Sequence, residues 1–235
     1  MAPLMDHLIS WMIAVPFIGI GILAFMHDET SIKRTAFGIT IVEFFLSLIL
    51  WKSFDFTQEG MQFVERAEWM PTFNIQYAVG VDGISILLIL LTALLFPVCI
   101  LCSWTGISTR VRAYLSLILL VEGAMIVVFT ALDLFLFFML WETTLLPMYF
   151  IITLWGGPNR LAAGLKFVLY SLAGSLLLLV GILGVYLNGG NTYDLLVLTE
   201  HNYSPSTQSW LFLAFFLSFA IKMPMVPFHT WLPEA

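Results

Sequence analysis

Six long apolar stretches and a shorter seventh constrain this chain more than any other feature of its sequence. A helix of about 20 apolar residues crosses the roughly 30 Å hydrocarbon layer of a bilayer. Of the whole chain, 60% is hydrophobic and 10% is charged, whereas about a quarter of an ordinary soluble domain is charged. Because a helix satisfies its backbone hydrogen bonds internally, helices rather than strands are expected to cross the lipid. The sequence therefore predicts an all-α, polytopic membrane helix bundle.

The apolar stretches predict about seven transmembrane helices in a single domain over residues 1–235. The predicted spans are residues 8–26, 35–51, 81–103, 112–131, 134–154, 162–187 and 210 onward. Basic residues fall mainly in alternate loops, which carry Lys33, Arg34, Arg110, Arg112 and Arg160. Since basic loops stay on the cytoplasmic side, the N-terminus is predicted on the outer side of the membrane.

The long outer loop, residues 52–80, ends in a pattern of alternating apolar residues. Residues 73–81 alternate with a period of two, which favours a short strand. Asp82 and Asp133 stand where the third and fifth helices are predicted to begin, and aspartate is a favoured N-cap. We therefore interpret both aspartates as caps rather than as functional groups.

Five ionisable residues fall inside the predicted spans. They are Glu43, Glu122, Glu142, Lys166 and Lys222. Each intramembrane charge costs on the order of 2.5–3.5 kcal/mol unless it is paired or hydrated, and a purely structural bundle does not need it. At the helical rise per residue, four of them lie about 12–18 Å inside the boundary from which their helix enters, and Lys166 lies about 9 Å inside. The sequence thus predicts a lateral row of polar groups near the bilayer midplane.

The seventh apolar stretch is expected to be a discontinuous helix. From its start at residue 210, this stretch reaches Lys222 after only thirteen residues. Thirteen residues form about 20 Å of helix, which is too short to cross the lipid. Pro224 and Pro227 have no N–H group to donate to the carbonyls four residues earlier. Pro147 likewise leaves the carbonyl of Thr143, next to Glu142, without its usual donor. Broken helices near the midplane mark ion sites. The alternative is an ordinary proline kink.

Several function classes are excluded by what the sequence lacks. The formal net charge is −6, and no basic cluster is present to neutralise phosphates, so a nucleic-acid partner is not expected. The sequence contains no dinucleotide-binding fingerprint and no cluster of metal ligands. We therefore expect no cofactor and no metal in this chain.

Two sequence motifs are specific enough to indicate a family. The first is ALDLFLFFMLWE at residues 131–142, followed by LPMYFII at 146–152 and LWGG at 154–157. The second is AIKMPMVPFHTWLPEA at residues 220–235. With these motifs the chain resembles the antiporter-like membrane subunits of respiratory complex I, of the chain M or subunit 4 type in its bacterial form. The resemblance runs along essentially the whole chain and places it in a bacterial inner membrane.

The resemblance implies a subunit of a proton-translocating NADH:quinone oxidoreductase that carries protons while partner subunits hold NADH, FMN, iron–sulfur clusters and quinone. In the family, the residues that match Glu142 and Lys222 form an interacting pair on the fifth and the broken seventh helix. Those that match Lys166 and Glu122 extend the polar axis, and the match to His229 lies just beyond the break. Its partners would be other membrane-arm subunits, the lipid bilayer and protons. Glu43 stays outside this assignment.

The sequence departs from the family in length. Family members are about twice as long and contain two inverted repeats, whereas this sequence contains the start of that transporter fold and lacks the second repeat. We expect the natural protein to be longer than residues 1–235.

Two other functions remain open at this stage. One is a subunit of a multi-subunit sodium/proton antiporter, because related chains share the Glu and Lys pattern. The other is a structural scaffold of the membrane arm without transport of its own. Sodium dependence of transport distinguishes the first, and an assembly defect without a selective transport defect is expected of the second.

The proton hypothesis has a simple physical basis. A lysine that is stripped of solvent loses its proton more readily, and a nearby carboxylate restores the charged form. Moving the side chains of Glu142 and Lys222 together or apart would therefore load and release a proton.

Overall fold

The computed structural model describes residues 7–235. In this part of the chain nine α-helices and two strands follow one another. The helices are α1 (Leu8–Ala24), α2 (Glu29–Ser53), α3 (Ser85–Cys102), α4 (Val111–Thr130), α5 (Leu134–Thr143), α6 (Leu145–Trp155), α7 (Arg160–Asn188), α8 (Leu195–Glu200) and α9 (Pro205–Lys222). The strands are β1 (Gln62–Met70) and β2 (Ile75–Val81), and 3-10 helices occupy Pro71–Phe73 and Phe228–Trp231. The N-terminus, predicted on the outer side, lies outside the described residues.

Within residues 7–235, five helical stretches are long and apolar enough to cross a membrane. They are α2, α3, α4, α7 and the stretch Leu134–Trp155, which α5 and α6 form together. Helix α1 is apolar but has only 17 residues. Helix α9 is as long as α3, but it begins with the polar residues PSTQS and ends at Lys222, so it is less apolar. A mostly helical, multi-pass membrane protein is therefore confirmed, whereas the count of seven spans is not.

Polar caps explain where two helices begin. Helix α2 starts at Glu29 rather than at residue 35 because Asp28 accepts a hydrogen bond from the Ser31 N–H at 2.8 Å. Helix α3 starts at Ser85 rather than at residue 81 because residues 75–81 belong to β2. Asp82 accepts hydrogen bonds from the N–H groups of Ile84 and Ser85 at 3.1 and 2.7 Å. Asp82 therefore caps the turn that leads into α3, while Ile84 occupies the N-cap position of the helix itself.

The described residues form two compact units. The first contains the residues up to Arg66 together with residues 78–131, and the second contains residues 67–77 and 132–235. In the first unit α1, α2, α3 and α4 pack on one another. One buried apolar cluster of this unit contains Leu23, Ile32, Ala36, Ile100, Val111, Leu115 and Leu119. The prediction of a single domain stays a prediction.

A two-stranded sheet occupies the predicted outer loop, where only one strand, within residues 73–81, was expected; that strand is β2, and β1 is the addition. Glu65 of β1 is buried, and its Oε1 accepts hydrogen bonds from the backbone N–H groups of Ile9 at 3.0 Å and Ser10 at 3.2 Å. Its Oε2 accepts a hydrogen bond from the Ser10 hydroxyl and lies 3.5 Å from His7 Nδ1. No side chain at the N-cap position of α1 forms a cap. Glu65 therefore caps α1 from a distant strand.

The second unit contains α5 to α9 and residues 67–77, and a buried carboxylate, that of Asp133, contacts Gln76 within this unit. Oδ1 of Asp133 accepts hydrogen bonds from the N–H groups of Phe135 and Leu136 at 2.9 and 3.0 Å. Oδ2 accepts a hydrogen bond from the Gln76 N–H in β2 at 3.0 Å. The interpretation of Asp133 as a cap is confirmed, and the strand contact is an addition to it.

Replacing Asp133 by alanine is expected to lower the free energy of unfolding by about 1–3 kcal/mol, because three backbone N–H groups lose their acceptor. Chemical unfolding of the purified protein in detergent measures this loss. Asp133→Asn is the matched control, since it keeps one carbonyl oxygen and should lose less. Equal losses for the two variants would contradict the role of the carboxylate oxygens.

Candidate functional site

Helix α9 ends at Lys222, at the position where the sequence predicts a break. The Ala220 carbonyl accepts a hydrogen bond from the Met225 N–H at 2.9 Å. The expectation that Pro224 leaves this carbonyl free is therefore wrong, because the turn after the helix brings a later N–H to it. The Ile221 carbonyl accepts a hydrogen bond from the Nε1–H of the buried Trp231 indole at 3.0 Å. The chain reversal after Lys222 is thus held by a backbone and a side-chain donor.

Lys222 lies beside the end of α5. Its Nζ is 5.1 Å from the centroid of the Trp141 ring, within the range of a cation–π interaction. Glu142, the next residue, lies close enough for its charge to act on Lys222, yet Lys222 forms no ion pair within the described residues. Oε1 of Glu142 is buried and has no hydrogen-bond partner in this part of the chain. The structure therefore places an ammonium on an aromatic face beside an unpartnered carboxylate oxygen.

The predicted fifth span is interrupted immediately after Glu142. Helix α5 ends at Thr143 and α6 begins at Leu145. Pro147 has no N–H for the Thr143 carbonyl, and its ring crowds the preceding turn. At the interruption, the Thr144 hydroxyl donates a hydrogen bond to the Trp141 carbonyl at 2.7 Å. The helix that carries Glu142 is therefore interrupted after Thr143, whereas α9, which carries Lys222, ends at that residue and is followed by a 3-10 helix.

Lys166 of α7 forms an ion pair that the sequence analysis did not find. Its Nζ donates to Oε1 of Glu234 at 2.6 Å, and both side chains are partly exposed. One helical turn later, Tyr170 Oη lies 3.0 Å from Thr230 Oγ1. These two contacts fasten the segment after the break to one face of α7.

His229 lies in the 3-10 helix Phe228–Trp231, on the segment that α7 holds. The residue is partly buried, and its Nδ1 is buried without a hydrogen-bond partner in the described part of the chain. An imidazole nitrogen of this kind can accept or donate one further hydrogen bond. The structure thus places the candidate histidine seven residues beyond Lys222, outside α9.

In the first unit, Glu122 of α4 is fully buried. The unassigned Glu43 of α2 is fully buried as well, and the charge of Glu122 acts on it. Neither carboxyl group has a hydrogen-bond partner among the described residues. Helices α2 and α4, which carry Glu43 and Glu122, pack on each other, a neighbourhood that the sequence analysis missed.

Two partners in the second unit also escaped the sequence analysis. Trp141 directly precedes Glu142, and Glu234 lies in the second motif, so both stand in segments already singled out. Their contacts with Lys222 and Lys166 are visible only in three dimensions, since each joins residues about 70–80 positions apart. Trp141 and Glu234 could have been singled out as an aromatic and an acidic residue within the two motifs.

Comparison with protein families identifies one match. The family described as "NADH:quinone oxidoreductase/Mrp antiporter, TM" matches residues 131–235. This segment contains α5 to α9 and therefore four of the candidate site residues: Glu142, Lys166, Lys222 and His229. Glu43 and Glu122 precede it.

Curated relatives match nearly all of this chain, and two of them illustrate the likeness. The "NADH-ubiquinone oxidoreductase chain 4" of Chondrus crispus is 43% identical over 223 residues, which are 94% of this chain and 45% of the relative. The "NADH-quinone oxidoreductase subunit M" of Rhodobacter capsulatus is 40% identical over 250 residues, with coverage of 98% and 48%. The chain spans about half the length of the curated relatives it matches.

Solved structures contain the same fold. A chain of respiratory complex I from Thermus thermophilus superimposes with a TM-score of 0.85 at 31% identity, and the match covers 96% of this chain and 46% of that one. A chain of the Mrp complex from a Dietzia species gives a TM-score of 0.80 at 20% identity, with coverage of 98% and 25%. The second likeness is one of fold alone.

Proposed function

We propose that this chain, which belongs to the family of antiporter-like membrane subunits (subunit M or chain 4) of NADH:quinone oxidoreductases, carries protons across the membrane within such a complex. The observation that carries the proposal is the placement of Lys222. Lys222 is the last residue of α9. Its ammonium group contacts the Trp141 ring and lies near an unpartnered oxygen of Glu142. This arrangement suits a group that alternates between two partners rather than one locked in an ion pair.

The proposed proton step is a change in the neighbourhood of Lys222. When the Glu142 carboxylate approaches, the ammonium form is stabilised by charge, and when it withdraws, the desolvated lysine releases its proton. The Trp141 ring holds the cation in the meantime, since the ring face is negative. No bond other than N–H is broken, and the proton passes to water or to the next titratable group.

We propose that three further residues take part in the proton relay. Lys166 is paired with Glu234, so it releases a proton only after that pair opens. His229 offers an unpartnered ring nitrogen on the adjoining segment. Glu122 carries protons in the part of the relay that lies in the first unit, where no basic group within the described residues neutralises it.

The wider setting is part of the same proposal. We place the chain in a bacterial inner membrane with its N-terminus on the periplasmic side, beside other membrane-arm subunits and lipid. Substrate oxidation would belong to partner subunits that hold NADH, FMN, iron–sulfur clusters and quinone. The half-length match to its relatives makes these partners an inference from the family rather than a property of residues 1–235.

The experiment that tests the function compares protons with sodium. Inverted membrane vesicles that contain the full-length protein in its native complex are energised with NADH, and acidification is followed with a pH-sensitive dye. We expect the same acidification rate with and without sodium. A requirement for sodium would instead favour a sodium/proton antiporter, the second candidate, which the shared name of the matching family supports.

A further inference from the structure

Glu43 of α2 and Glu122 of α4 are two buried carboxyl groups on helices that pack on each other in the first unit. Both residues are 0% exposed. All four side-chain oxygens lack a hydrogen-bond partner within the described residues. Because native proteins pair nearly all buried polar side-chain atoms, four unpaired oxygens on two helices that pack on each other call for a ligand.

The side of α2 that carries Glu43 is polar but does not neutralise it. Thr40 and Ser47 lie three residues before and four residues after Glu43, on the same buried face of the helix. Their hydroxyls donate to backbone carbonyls of their own helix, to Phe37 at 2.9 Å and to Phe44 at 2.7 Å. Each hydroxyl has therefore spent its only hydrogen, while its oxygen still has room to accept one.

The packing around Glu122 is close on the side of α1. A Cβ atom added to Gly123 would lie 3.0 Å from the Phe17 ring, so α1 approaches α4 tightly at this level. Leu119, one turn earlier on α4, is fully buried. The surroundings of Glu122 are thus apolar, and an ionised carboxylate here would lack the solvation that it has in water.

Few charges on the neighbouring helices face these carboxyl groups. The charge of Glu122 acts on Glu43 and also on Cys99 of α3, whereas α1 contains no titratable side chain. Lys33 and Arg112, near the helix ends, donate to the backbone carbonyls of Trp104 and Met26. The described part of the unit therefore offers Glu43 and Glu122 no compensating cation.

From this geometry we propose that Glu43 and Glu122 form a coupled proton-binding site that holds at least one proton at neutral pH. A proton delivered by a hydronium ion of the aqueous phase, which becomes water, forms an O–H bond to one carboxyl oxygen and removes its negative charge. Two ionised carboxylates side by side would repel one another, so binding at one residue depends on the other. A metal ion is a poorer ligand here, because the described residues contain no group of three or more metal-binding side chains.

This inference extends the proposed proton function to Glu43 and rests on it only for a role in transport. The bound proton itself is an equilibrium property, so it is measurable without turnover. The full-length protein in its native complex is studied by infrared spectroscopy, and the carbonyl stretch of protonated carboxyl groups is identified by its shift in heavy water. We expect this band to lose intensity in both Glu43→Gln and Glu122→Gln.

The matched control is Glu200→Gln, which changes an exposed glutamate and should leave the band unchanged. Glutamine imitates a protonated glutamate in shape and charge, so both variants should accumulate normally. If Glu43→Gln does not accumulate, Glu43→Asp keeps a carboxyl group, and the band should persist.

Three outcomes separate the two proposals. A band that is unchanged in both glutamine variants would overturn the proton-binding site, whatever the transport activity. Loss of the band on addition of sodium at constant pH would also overturn it, since the ligand would then be a sodium ion. A band that depends on Glu43 and Glu122 in a protein that does not pump protons would support the site and contradict the proposed function.

Discussion

Replacing Lys222 by methionine is expected to reduce NADH-driven proton translocation by about tenfold or more, because an uncharged side chain cannot carry a proton at a depth where few other groups ionise. Methionine keeps much of the length and packing of lysine, so α9 should still end at the same place. The measurement is the number of protons translocated for each NADH oxidised in inverted vesicles. This ratio separates a defect in pumping from a smaller amount of complex.

Glu142→Gln is expected to give a similar loss, since glutamine keeps the shape of the side chain but has no charge to act on Lys222. If the two residues act as one unit, the double variant should be little worse than either single one. Independent roles would instead make the two losses multiply. The comparison therefore tests the pairing and not only the presence of each charge.

Lys52→Met is the matched control for the lysine variant, because Lys52 is exposed at the end of α2. Its proton-to-NADH ratio should equal that of the unchanged protein. Unchanged pumping in Lys222→Met and Glu142→Gln, with normal complex content, would refute the relay. A loss of complex content alone would favour the scaffold interpretation.

The largest expected effect on stability comes from Glu65. Replacing it by leucine removes the acceptor of two backbone N–H groups and one hydroxyl in the first turn of α1. A buried donor without a partner costs about 1–3 kcal/mol, so the free energy of unfolding should fall by about 2–5 kcal/mol. The carboxylate also complements the positive end of the helix, a contribution that leucine lacks.

Thermal and chemical unfolding in detergent measure the Glu65 effect. Glu68→Leu is the matched control on the same strand, since Glu68 is exposed and its replacement should change stability by no more than about 0.5 kcal/mol. Glu65→Gln keeps one carbonyl oxygen and should fall between the two. If Glu65→Leu and Glu68→Leu unfold alike, the distant cap contributes nothing.

Hydropathy and capping residues predicted much of this fold. The length of each apolar stretch located the helices, and Asp82 and Asp133 marked two helix starts because a carboxylate beside the first turn accepts its free N–H groups. The run from Lys222 to Pro224 marked the end of α9 for a similarly local reason. These features are readable because the residues that cause them are neighbours in sequence.

What the sequence did not reveal depends on distant contacts. Strand β1 carries charges along its length, so its alternation is weak, and it is stabilised by pairing with β2. The Trp141 ring near Lys222 and the Glu234 carboxylate near Lys166 each require knowledge of which helices adjoin. The neighbourhood of Glu43 and Glu122 has the same origin, since nothing in the local sequence of α2 indicates a partner on α4.

The strand contacts of Glu65 and Asp133 also bear on how the polypeptide is inserted during synthesis. Ile9 and Glu65 are 56 residues apart, and Gln76 and Asp133 are 57 apart. The start of α1 therefore leaves the ribosome long before Glu65 is synthesised. Until then, the N–H groups of Ile9 and Ser10 are in the translocon or the lipid without their carboxylate acceptor. Helix α5 has the opposite history, because the strand that receives Asp133 is made first. Nascent chains arrested before and after residue 65 should accordingly differ in how firmly α1 is held in the membrane.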